Sequence, residues 1–247
     1  GGDAGKVTLE RLENTFGRLE AVWKPVGALE GFEIVRRRLF GPIKDEAARE
    51  EVCRAFSRMY ADGGTEFPQE CKEGAYLDRL RAAYPIHPEV FDRLYDDWST
   101  LERFQKTRGV LRLMATAIHE LWVRGDKSLL ILPGSIPLDA QKVRDELTRY
   151  LPDGWNTVVD KDVDGERSEP YRIDNENARL GQIMAARRVA RAAFLGSAPS
   201  VRDQRVRGIE DVRIRLGVIQ PGESIAVFND ALGRLLDRLT HLYSDNK

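Results

Sequence analysis

The sequence predicts a mainly helical fold with a minor α+β part, and three observations carry that expectation. Apolar residues recur every three or four positions over 107–123 and 223–243, the period of one helix face. Helix punctuation is frequent, with Gly41-Pro42 as a stop, Asp45 as a cap, Pro88 as a first-turn residue and Gly217 at a helix end. Apolar runs fit for strands are few and short, the clearest being Leu129-Leu130-Ile131-Leu132.

Taken in order, residues 28–40 form a helix with Leu29, Phe32, Ile34, Val35 and Leu39 inward and Arg36-Arg37-Arg38 crossing its end. A second helix runs from Asp45 to Tyr60, burying Val52, Phe56 and Met59. The glycines and proline of 61–74 make a loop, and a short helix covers Tyr76 to Tyr84. Pro85-Ile86-His87-Pro88 breaks the chain before a helix presenting Val90, Leu94, Tyr95 and Trp98. The helix over 107–123 turns Val110, Leu111, Met114, Ile118, Leu121 and Trp122 to one side and Arg112, Thr116 and His119 to the other. The pattern then predicts a buried strand at 129–132, a helix capped by Asp139 through Tyr150, and short strands at Trp155–Val159 and Tyr171–Ile173 around an acidic turn. Three helices follow, near 176–195, 208–216 and 223–243. The last keeps Ile225, Phe228, Leu232, Leu235, Leu239 and Leu242 on one stripe, suited to a bundle or to pairing with a second copy.

Composition narrows the function classes. Hydrophobic residues are 42% and charged residues 32% of the 247, and the net charge is −1, so there is no global field to steer nucleic acid or an anionic surface. No apolar run approaches the ~20 residues that span a bilayer, so no membrane partner is expected. The two cysteines, Cys53 and Cys71, suit a reducing, cytoplasmic compartment and sit at no metal-ligand spacing. Both chain ends fit a segment of a larger protein.

Four constellations invite functional readings. Gly5-Lys6 is followed by Val7, without the hydroxyl that holds magnesium in a phosphate-binding loop and without a preceding strand, so a terminal tail is the better reading. Asp160-Lys161-Asp162-Val163-Asp164-Gly165 matches half of a calcium loop, but Tyr171 stands where the bidentate glutamate is required, which favours an acidic turn. Gly109-Val110-Leu111-Arg112 opens a helix, and taken alone reads as a glycine near an N-terminus and a solvated arginine. From Arg179 to Arg215 nine arginines face three acids, while Asp139 to Glu176 carries eleven acids and six bases. The favoured reading is that the two surfaces face each other, or a neighbouring domain of the parent, and a nucleic-acid contact through Arg187, Arg188, Arg191, Arg205 and Arg207 is the functional alternative. No Gly-x-Ser-x-Gly or His-Glu-x-x-His pattern occurs, and no catalytic residue or metal ligand is assigned.

Several stretches together carry a resemblance: 83–89 (AYPIHPE), 104–113 (FQKTRGVLRL), 132–138 (LPGSIPL), 187–197 (RRVARAAFLGS) and 208–211 (GIED). The chain resembles large prokaryotic AAA+-like P-loop ATPases of unknown function, found in phage-defence or restriction-like loci. The resemblance runs from about Pro25 to the end and concerns the part downstream of the P-loop. It implies that 1–44 ends the nucleotide-binding core, 45–125 is a helical lid, and 126–247 is a C-terminal module. It further implies that Arg112, with Arg108 and Gly109 beside it, occupies the place of a second nucleotide sensor. ATP with Mg is then expected in the parent protein, with no cofactor in this segment and no turnover by it alone. The implied partners are the upstream nucleotide-binding domain, then DNA or a second copy through 223–243. The rival function is a DNA-binding or scaffold module with no nucleotide role.

Overall fold

The structure, a computed structural model, describes residues 28–101, 104, 106–199 and 208–239. Among them are twelve α-helices and no strand. Helix α1 (Ala28–Leu39) packs on α3 (Gly74–Ala83) and α5 (Lys106–Val123), while α2 (Glu46–Asp62) packs on α3. Asp45 caps α2 as its residue type predicts, its carboxylate accepting from the Ala48 N–H at 2.9 Å. Pro88 opens α4 (Pro88–Asp92), where its missing N–H costs nothing. The Gly109 position, buried at the start of α5, admits no larger residue easily, since a Cβ would lie 3.1 Å from the Phe104 ring.

The second half is organised around α10 (Ala185–Ser197). This helix is buried on nearly all sides, with Ala186, Val189, Ala190, Ala193, Phe194 and Leu195 against neighbours in several directions. It packs on the Pro133–Ser135 turn, on α8 (Glu169–Glu176) and on α12 (Ile225–Arg238). A glycine permits the approach to the turn: a Cβ on Gly134 would sit 2.9 Å from the Arg188 carbonyl oxygen. The α12 stripe is directed inward, with Phe228, Leu232 and Leu235 buried. Leu242 and the end of the predicted 223–243 helix lie outside the described residues, as does Gly5-Lys6.

Five sequence expectations change. The 129–132 run forms no strand: Ile131 makes one parallel bridge to Ile86, through His87 N–H to Ile131 O and Ile131 N–H to Pro85 O at 2.9 Å each, and Pro133 ends it. Trp155–Val159 is helical, as α7 (Trp155–Val158) continued by a wide turn to Val163, and Tyr171–Ile173 lies inside α8. β-propensity in such short apolar runs yields to local caps. Ser168 accepts from the Tyr171 N–H, and Pro170 sits in the first turn. Asp139 caps nothing; α6 (Gln141–Thr148) begins after Ala140, and the Asp139 carboxylate turns to arginines. The predicted 176–195 helix is two, α9 (Ala178–Gly181) and α10, separated by Met184 at φ 52.

The hydrophobic core runs unbroken through position 125. Trp98 donates its indole N–H to the Leu195 carbonyl at 2.8 Å, and Arg213 of α11 (Asp211–Leu216) reaches back to Glu89 at 3.0 Å.

Candidate functional site

The outward face of α5 carries Arg108, Arg112 and His119, all exposed, while Val110, Leu113, Met114 and Ala117 line the core. The 3.6-residue period places Arg108 and Arg112 one turn apart on the same side. Arg112 keeps 48% of its side-chain exposure and, among the described residues, makes one ion pair, Nη2 to Glu146 Oε1 of α6 at 2.8 Å. Glu146 also lies 3.4 Å from Arg149. The Glu146 hydrogen bond holds the Arg112 guanidinium above its ordinary pKa. Sequence reading supplied no partner for Arg112; Glu146 is 34 residues away, and only the packing of α5 on α6 joins them. At the helix end Trp122 is 84% exposed and Val123 is exposed beside it, so Trp122 does not join the inward face that its spacing suggested.

The arginines of α10 are engaged inside the fold. Asp164, fully buried, accepts from Arg187 Nε at 2.7 Å and Arg191 Nε at 2.6 Å, and also from the backbone N–H groups of Asp139 and Gly165. Arg124, Arg187 and Arg191 all approach the Asp139 carboxylate. Burial works to raise Asp139, but Arg191, Arg124 and Arg187 outweigh it and hold the carboxyl below its ordinary value. Arg188 forks onto Glu223, donates to the Val218 carbonyl and lies 5.0 Å over the Phe228 ring. The acidic and basic regions therefore neutralise each other here, which leaves Arg187, Arg188 and Arg191 without a free fork for nucleic acid. Arg205 and Arg207 lie outside the described residues. In the acidic turn Asp160 pairs with Arg144 and Asp164 with the two α10 arginines.

A third cluster is polar and buried. His87, in the Pro85–Pro88 break, is inaccessible. Its Nδ1 accepts from the Glu89 N–H at 3.1 Å, so Nε2 carries the proton and donates to the Tyr60 hydroxyl at 2.8 Å. Burial, with Arg79 nearby, pushes His87 down to about 3. Glu89 is also buried, and burial pushes its carboxyl up to about 7 against the pull of Arg93 and Arg213. Arg93 Nε lies 3.0 Å from Glu89 Oε1 but out of line for a hydrogen bond. Asp174 replaces a local cap for α10, accepting from Ala186 N–H at 2.9 Å and Arg187 N–H at 3.2 Å. Burial raises it to about 6 despite those donors. Cys53 and Cys71 are buried and free, with burial raising the thiols to about 11 and about 12. No group of three or more potential metal ligands is found among the described residues.

Residues 28–206 match the family described as the DUF499 second domain. The chain belongs to that family. The DUF499 match covers α1 through α10, whereas α11 and α12, which supply Arg213 and Glu223 to the networks above, follow it. No curated protein and no solved structure matches the chain. Among the described residues of this DUF499 domain no helix is long and apolar enough to cross a membrane.

Proposed function

We propose that this chain is the nucleotide-sensing lid and coupling region of a larger AAA+-like ATPase acting in DNA-related defence. The observation that supports it is the outward face of α5, where Arg112 is half exposed and, among the described residues, held by one pair to Glu146. Glu146 keeps Arg149 at 3.4 Å, so it is not left without a cation when Arg112 turns to a phosphate. A planar guanidinium suits that exchange, because its fork matches phosphate oxygens and it stays charged. Arg108, one turn away, is the second cation on that face. ATP and Mg would be held by residues outside this chain, and the description of the family as a second domain favours a preceding partner domain. Packing of α5 on α6, and the shared core beyond, gives a contiguous route from that face to α10 and α12.

The test uses the full-length parent. Arg112→Ala should cut ATP hydrolysis strongly with the melting temperature unchanged, and Arg112→Lys should restore only part of it. Normal turnover by the alanine variant would remove the sensor role. A second reading, a protein-docking module without nucleotide, is favoured by the exposed Trp122 on the same helix. It predicts that Trp122→Ser abolishes partner binding while Arg112→Ala leaves it intact.

A further inference from the structure

A cavity of about 410 Å³ opens at the junction of α1 and α2, far in sequence from the α5 face. Its lining combines Arg36, Arg37 and Arg49 with the apolar Phe40, Pro42 and Ile43, and Glu46 stands at its edge. Gly41-Pro42 ends α1 and Asp45 starts α2, so the two helices place three guanidiniums around one opening.

Those guanidiniums exceed their carboxylates. Arg37 takes Glu33 at 2.6 Å and Arg49 takes Glu46 at 2.8 Å. Among the described residues Arg36 has only the same Glu33 at 3.9 Å, too far for a hydrogen bond. Three cations thus share two carboxylates among the described residues. Arg49 Nε is in addition buried with no acceptor among the described residues, which is uncommon for a buried donor. An anion seated here would meet the Arg36 fork, which has no hydrogen-bonded carboxylate among the described residues, beside the paired Arg37 and Arg49, and the half-buried Phe40 with Pro42 and Ile43 would face its apolar body.

The geometry points to a second binding site, for a phosphate ester with a planar apolar body: a nucleoside phosphate, free or at the end of a nucleic-acid strand. The volume lies within the usual range of small-ligand sites, roughly 300–1,000 Å³. Arginine forks recognise phosphate bidentately, and an aromatic side chain stacks on any base. The inference is independent of the α5 reading, because no residue is shared between the two sites.

The experiment is calorimetric titration of the intact chain with ADP, with inorganic tripolyphosphate, and with a short single-stranded oligonucleotide bearing a terminal phosphate. ADP should bind several-fold tighter than tripolyphosphate, with affinity falling as salt rises. Arg37→Glu reverses a charge on a side chain that is 72% exposed, so it leaves the fold intact. It should weaken all three ligands about tenfold or more, as should Arg36→Gln, because each removes a charge-assisted hydrogen-bond donor set. Phe40→Leu should bring ADP down to the affinity of tripolyphosphate. If the oligonucleotide binds tightest and loses affinity in the same variants, the site is assigned to a nucleic-acid end; if ADP does, to free nucleotide. No binding at about 1 mM ligand, binding unchanged in Arg37→Glu and Arg36→Gln, or equal affinity for ADP and tripolyphosphate would overturn the proposal.

Discussion

Replacing Arg191 with leucine tests the internal role of the α10 arginines. Arg191 is buried, and its Nε sits 2.6 Å from a carboxylate of Asp164 that solvent cannot reach. Removing one member of a buried pair strands the other, which typically costs about 3–5 kcal/mol. Asp164 keeps Arg187 and two backbone donors, which places the expected loss near the lower end, about 3 kcal/mol. Leucine retains much of the stem packing, so the loss reports the charge rather than a cavity. Urea unfolding followed by circular dichroism and by tryptophan fluorescence gives the measurement, with coincident transitions required for a two-state reading. At slopes of about 1–3 kcal/mol per molar, the midpoint should fall by about 1 M or more. Pairing Arg191→Leu with Asp164→Asn should cost less than the sum of the single changes, by roughly 0.5–3 kcal/mol. Arg179→Leu is the surface control, since Arg179 is exposed and among the described residues pairs only with Asp230, and it should stay within about 0.5 kcal/mol. A stable Arg191→Leu protein, or strict additivity in the cycle, would refute the network. Loss of DNA binding with stability intact would return Arg191 to the nucleic-acid reading.

Three further outcomes follow from buried groups and close approaches. His87 is depressed in the fold, so its contribution is present above its unfolded value of 6.5 and lost as pH falls toward about 3. Between pH 6.5 and 4 the wild type should therefore lose about 1.4 kcal/mol per unit relative to His87→Gln, read from urea midpoints; parallel profiles would contradict the neutral, buried histidine. Glu89 acts with the opposite sign: raised from 4.5 to about 7, its contribution is present below pH 4.5 and lost as pH rises through 7, a trend Glu89→Gln should remove. Gly181→Ala places a Cβ 2.4 Å from the Asp174 carbonyl oxygen and should cost about 1–3 kcal/mol in the same assay, whereas a neutral change would mean that α9 shifts freely.

Much of the helical skeleton was legible in the sequence, because its signals are local. Asp45, Pro88 and the three-four spacing over 107–123 act within a turn or two of themselves, and the elements they mark are where they predict. The short strands fail for a different reason. Trp155–Val159 and Tyr171–Ile173 carry strand-like residues, but at 171–173 the local Ser168–Pro170 helix start outweighs that β-propensity. The candidate sensor was placed on the correct outward face by periodicity alone, since Arg112 opposes Met114 and Val110 on one helix.

Composition and period alone determined that this chain is mainly helical, where its strongest helix lies and which side of it faces out. The opposed charges of 139–176 and 179–215 were also visible, together with the preference for their pairing. Which carboxylate meets which arginine was decided only by the tertiary structure. Asp164 joins Arg187 and Arg191, Glu223 joins Arg188, Glu146 joins Arg112, and Glu89 joins Arg213 across 124 positions. Charge type is a property of the residue, whereas burial and partner belong to the packed helices, and desolvation is what turns a solvated arginine into a structural one.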